Sequence, residues 1–126
     1  MELPEFLAIE RANVGLFCDV FPPVMDGVSV CMQNYAYWMQ KKVGGVCVVT
    51  PNVPDADYSV HDYKVYDYFS VPVPKRAPYV TGIAEIDPVW LAKVARTRFK
   101  ILHAHCPFAT GLVAQRIARL QGIPLV

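Results

Sequence analysis

A chain of 126 residues with 54% hydrophobic and 18% charged residues can bury one real core, which excludes a disordered chain. A formal charge of +1 gives no electrostatic reason to expect nucleic acid, and no apolar run reaches the length of a membrane span. The four cysteines (Cys18, Cys31, Cys47, Cys106) form no Cys-x-x-Cys pair and lie in or beside apolar segments, favouring reduced, mostly buried thiols over disulfides or zinc.

The start, residues 1–12, lacks the layout of a signal peptide and reads as a short extension with room for a helical turn. Cytoplasm is then the default compartment. Asn13 to Cys18 is apolar on both faces, as a parallel strand covered by helices requires. It stops at Asp19, and a loop with Pro22 and Pro23 leads to Asp26-Gly27. A helix is predicted from about Val28 to Val43, with Val28, Met32, Tyr35, Ala36, Met39 and Val43 on its apolar face. Lys41 and Lys42 suit the negative end of its dipole, and Gly44-Gly45 supplies a stop. Val46 to Thr50 is a second buried strand, so the opening reads as a βαβ unit, right-handed by rule.

Pro51 to Gly82 is the least regular region. Tyr63 to Val71 reads as a strand, with an extended stretch through Pro74. The tyrosines here (58, 63, 66, 68 and 79) could stack on a sugar, but packing at a core edge is the better account. Asp87-Pro88 starts a second helix, Asp as N-cap and Pro as first helical residue, with Trp90, Leu91, Val94 and Ala95 facing inward. Lys100 to His105 is a third parallel strand. A third helix follows Pro107, with Val113, Ile117 and Leu120 on one face and Gly122 as its cap. Ile123 to Val126 opens another buried strand, which reads as the beginning of more chain in a longer protein.

Chemistry is expected where polar residues stand at the carboxyl ends of parallel strands, outside which open α/β sheets bind ligands. Asp19 follows the first strand and His105 ends the third, so Asp19, Gly27 and His105 could share one crevice. Gly27 at a helix start would let an anion approach free backbone N–H groups, although from spacing alone a simple turn before a helix is the better reading. His105 could be a general base or a donor to a sugar hydroxyl or phosphate. His103 and His61 read as structural or surface residues. A metal site from His103, His105 and Cys106 lacks a further ligand at suitable spacing, so no metal is expected. No Gly-x-Gly-x-x-Gly, Walker or Gly-x-Ser-x-Gly motif is present.

Two stretches together resemble family-four glycosyltransferases. NVGLFCDVFPPVMDGVSV (Asn13–Val30) is similar to their first strand, proline-containing loop and Gly-Gly-Val or Asn-Gly-Val helix start. KILHAHCPFATGLVAQRIARLQGIPLV (Lys100–Val126) is similar to their His-x-His-x-Pro-Phe strand and helix, followed by Gly-Ile-Pro. The resemblance implies a Rossmann-like parallel sheet with flanking helices, the amino-terminal, acceptor-side half of a GT-B fold over residues 13–126. It also implies a separate carboxy-terminal domain holding most of the nucleotide-sugar site.

The implied activity is retaining transfer of a hexose from a nucleotide sugar to an acceptor, without a metal, by an enzyme of which this stretch alone is inactive. The Asp-Gly-Val variant is nearest to the enzymes that glucosylate diacylglycerol or make related glycolipids, which would bring peripheral contact with a membrane. Carried over by position, Gly27 and Val28 face the donor diphosphate and His105 stands beside the reacting sugar. Asp19 and Asp26 lie on the acceptor side, Asp26 replacing the first glycine of the double-glycine form. A stand-alone flavodoxin-like or nucleotide-binding module without catalysis is the alternative, and it predicts tight ligand binding by the 126 residues unaided.

Overall fold

The computed structural model describes residues 10–24 and 26–126. Among the described residues, nine strands and α-helices follow one another: β1 (Arg11–Phe17), α1 (Gly27–Lys42), β2 (Val46–Pro51), β3 (Lys64–Tyr68), β4 (Ser70–Pro72), β5 (Val80–Gly82), α2 (Pro88–Arg96), β6 (Arg98–Ala104) and α3 (Ala109–Gln121). Residues 1–9, and with them most of the anticipated extension, lie outside the described residues. Arg11 and Ala12 already belong to β1, so the first strand starts two residues before Asn13.

Strands β3, β2, β1 and β6 form one sheet in that order, all parallel. Val14 sits opposite Val46 on one side and Ile101 on the other. The chain steps one way from β1 to β2 and β3, then returns to place β6 on the far side of β1. The strand order therefore reverses between β1 and β6, which opens a crevice beyond their carboxyl ends. Strands β4 and β5 pair separately as an antiparallel ribbon.

Both faces of the sheet are covered, which is why β1 and β2 carry apolar residues without alternation. On one face, Val14, Leu16, Val46 and Val48 pack against Met32 and Ala36 of α1. On the other, Phe17, Val49, Phe99 and Leu102 pack against Trp90 and Val94 of α2 and Val113 and Ile117 of α3. The helix starts follow cap chemistry: Asp26 accepts from Ser29 N at 2.9 Å, and Asp87 accepts from Trp90 N at 3.2 Å. At the end of α3, Gly122 takes a left-handed conformation, φ 65°, which glycine adopts without a Cβ penalty.

Four expectations need correction. Helix α1 is rotated from the predicted face: Ser29, Met32 and Ala36 are buried, while Val28, Tyr35 and Val43 are exposed. The anticipated strand from Tyr63 to Val71 is two strands, because Phe69 interrupts the ladder and donates its N–H to Asp87 instead. Leu120 is exposed, so α3 buries Val113, Ala114, Ile117 and Ala118. Ile123–Val126 makes a parallel bridge at Leu125 to Leu102, but its residues 124–126 are exposed rather than buried. The tyrosines divide: Tyr63, Tyr66 and Tyr68 are buried in the core, and Tyr79 is exposed.

Candidate active site

The crevice between β1 and β6 has two walls, each a loop that runs into a helix. The β6–α3 wall is tied directly to β1. The His105 N–H donates to Phe17 O at 2.8 Å, extending the sheet by one rung. Beyond it Asp19 receives three hydrogen bonds. Thr110 N donates to Oδ1 at 3.0 Å, Thr110 Oγ1 to the same oxygen at 2.5 Å, and Cys106 Sγ to Oδ2 at 2.8 Å. A carboxylate can only accept, so the Thr110 hydroxyl spends its proton on Asp19 and must accept from the Tyr68 hydroxyl, 2.6 Å away. Tyr68 is itself stacked on Trp90, ring centroids 4.3 Å apart.

Asp19 thereby does for α3 what no nearby residue can. Phe108 occupies the N-cap position and offers no side-chain hydrogen bond. The orphan N–H groups of a helix start need a partner, and a negative charge there is favourable. Close approach is also built in at Gly111: a Cβ there would lie 2.2 Å from Cys106 O.

The imidazoles of His105 and His103 stack at 4.1 Å between centroids with 25° between planes, as their shared strand face requires. Tyr35 of α1 touches both, at 5.5 Å from His105 and 5.3 Å from His103. Burial, and secondly His103, push the His105 pKa down to about 4, so the ring is neutral at pH 7. Its Nε2 is buried and finds no hydrogen-bond partner among the described residues. The Cys106 thiol is pushed up to about 12 by burial and by its bond to Asp19, so it stays protonated and is no nucleophile at neutral pH.

The β1–α1 wall is built differently. Asp26 holds Ser29 N with one oxygen and receives the Tyr79 hydroxyl on the other at 3.1 Å. Gly27 is the first helical residue and is exposed; a Cβ there would meet nothing within 4 Å. Val28 is likewise exposed. Gly27 opens a groove of about 660 Å³ along α1, lined by Val30, Cys31, Asn34, Tyr35, Trp38 and Met39. A second cleft, of about 520 Å³, runs past His105, Cys106, Pro107 and Gly111 to Gln115 and Val126.

Asp19 and the His105–Cys106 loop are thus joined at the crevice. Gly27 and Val28 stand on the other wall, where Gly27 shares a groove with Tyr35, whose ring packs against His105. His61 stacks on Tyr63 at 4.9 Å, away from these groups. Among the described residues no three His, Cys, Asp or Glu side chains group as metal ligands. Sequence reasoning passed over Thr110, Tyr68, Tyr35 and Gly111. The one available cue was the absence of a capping residue before α3, which implies a partner from elsewhere in the chain.

Comparison with known proteins agrees with this architecture. Over 114 residues the chain is 21% identical to alpha-monoglucosyldiacylglycerol synthase of Acholeplasma laidlawii, a match covering 90% of this chain but 28% of that protein's length. Residues 26–126, which hold α1 through the Leu125 bridge, match the family described as the Glycosyl transferase 4-like domain. A parallel sheet reversing its order at β1 and β6, two helix starts facing the reversal, and a family match over most of the chain together place this protein in the Glycosyl transferase 4-like family, with the Rossmann-like α/β fold of a GT-B half-domain.

Proposed function

We propose that the chain supplies the acceptor-side wall of a site that moves a hexose, with retention, from a nucleotide sugar to an acceptor hydroxyl. The observation that carries this reading is His105: a neutral imidazole with an unpartnered buried nitrogen, standing at the strand-order reversal of a glycosyltransferase fold. An uncharged ring can accept a hydrogen bond from, or donate one to, a sugar hydroxyl without placing a cation against the substrate. Gly27 and Val28 offer exposed backbone at the positive end of α1, where the leaving diphosphate gains charge as the glycosidic bond breaks. Asp19 and Asp26 border the acceptor side. The charge on the diphosphate would be met by N–H groups rather than by a metal ion.

A lipid acceptor such as a diacylglycerol or its glycoside fits the exposed face of α1. Val30, Tyr37 and Trp38 are exposed there, Lys41 lies 4.6 Å over the Tyr37 ring, and the helix Gly27–Lys42 carries no acidic residue. Aromatic side chains beside lysines suit the boundary between water and lipid, so peripheral membrane contact accompanies this reading. No helix among the described residues is long and apolar enough to cross a membrane. The remaining donor contacts belong to a carboxy-terminal domain, and the 126 residues by themselves are expected to be inactive.

The test is glycosyl transfer by the full-length protein carrying His105→Ala or Gly27→Trp. A loss of about 10²-fold or more is expected for His105→Ala if the imidazole acts on the proton in transfer. Gly27→Trp should raise the donor KM by filling the phosphate approach. Unchanged transfer in both variants would sink the assignment. Tight, saturable binding of a flavin by the 126 residues in calorimetry would instead support a stand-alone binding module.

A further inference from the structure

We infer that Asp19 is a positioning residue: through Thr110 and Cys106 it fixes the loop that carries His105 against the end of β1, and it acts on substrate only by way of that loop. The inference rests on the reading of His105 as the group beside the reacting sugar.

The geometry leaves Asp19 little capacity for a ligand. Both of its oxygens are occupied, Oδ1 by two Thr110 donors and Oδ2 by the Cys106 thiol. These partners follow His105 in the chain, at the next residue and five residues on. Cys106 is anchored from both sides, its thiol on Asp19 and its carbonyl against the bare Cα of Gly111. Tyr68 extends the network to the end of β3 through the Thr110 hydroxyl, and its stack on Trp90 ties that hydroxyl to α2. One carboxylate therefore joins the ends of β1, β3 and β6 to the start of α3. A loop held at this many points keeps the His105 ring in its half-buried place against His103 and Tyr35. A mobile loop would let the ring turn out to solvent.

The experiment reads the His105 imidazole in the ¹⁵N-labelled 126-residue chain by long-range ¹H–¹⁵N spectra, giving tautomer and titration midpoint. The groups that face this ring are His103 on β6 and Tyr35 on α1, with Cys106 next in the chain. In Asp19→Ala the midpoint should rise from its depressed value toward the ordinary histidine range, by about one unit or more, as the ring gains water. In Asp19→Asn it should move less than in Asp19→Ala, because the amide oxygen still accepts both Thr110 bonds and only the Cys106 thiol loses its acceptor. A folded Asp19→Ala chain whose His105 keeps its tautomer and midpoint would overturn the inference, and so would Asp19→Asn behaving like Asp19→Ala. Should Asp19→Ala fail to fold, Thr110→Val decides the matter: it removes the hydroxyl's bonds to Asp19 and Tyr68 and leaves the Thr110 N–H on Asp19, and an unmoved His105 overturns the inference. The readout needs no donor or acceptor. A shifted midpoint in Asp19→Ala alongside full transfer by His105→Ala would remove the catalytic reading and leave the positioning role standing.

Discussion

The two walls of the crevice start from the same problem, a helix N-terminus opening at a strand end, and solve it in opposite ways. The α3 start is closed by a side chain 91 residues distant, and a second residue, Gly111, is small because backbone lies against it. The α1 start is capped by its own neighbour, Asp26, and leaves Gly27 facing open space. One wall is braced by tertiary contacts, while the other is left accessible by local ones.

The largest expected effect probes the braced wall. Gly111→Ala drives a Cβ into the Cys106 carbonyl, and since backbone cannot yield as a side-chain tip can, a loss of about 2–3 kcal/mol is expected in urea unfolding. A variant as stable as the parent would show that this wall is looser than described. Next comes pH. The His105 pKa is lower in the folded chain than the ordinary 6.5, so the unfolded chain binds more protons between about 4 and 6.5. Stability contributed by the neutral ring is complete above pH 6.5 and is lost as pH falls toward 4. Urea midpoints at pH 7 and pH 5 should therefore differ more in the parent than in His105→Gln; equal differences would break the account of a desolvated ring.

On the accessible wall the effects shrink. Asp26→Ala removes a local cap and the Tyr79 contact, and should cost about 1 kcal/mol in the same unfolding assay. Gly27→Ala should be neutral or stabilising by roughly 0.5 kcal/mol, because its Cβ meets nothing and alanine loses less entropy in a helix. Destabilisation at Gly27 would mean that the fold itself needs the glycine, and the contrast between the walls would fade.

What could be read from sequence follows the same division. The α2 start is legible because its cap, Asp87, lies three residues from the N–H it accepts, and α1 is legible from its apolar periodicity, with Asp26 found only in the structure to cap it. The parallel strands were legible because burial on both faces leaves unbroken apolar runs such as Val46–Thr50. The rotation of α1 was not, since burying Ser29 in place of Val28 depends on how the cap meets the sheet. Nor were the partners of Asp19, which lie 87 and 91 residues away. Gly111 stood inside a helical pattern, where glycine is unfavourable and usually has a packing reason, yet that reason is a carbonyl visible only in three dimensions.

The position of β1 between β2 and β6 has a kinetic consequence. Val14 pairs with Val46, 32 residues on, and with Ile101, 87 residues on. Bringing the more distant pair together costs about 1 kcal/mol more in loop-closure entropy. Contacts of such long range tend to form late, because their cost precedes their reward. The β1–β2 unit can assemble early, whereas the crevice exists only once β6 has arrived. A spectroscopic probe beside Cys106 would then report the final stage of folding, and any chain stalled before it would lack the crevice between β1 and β6 altogether.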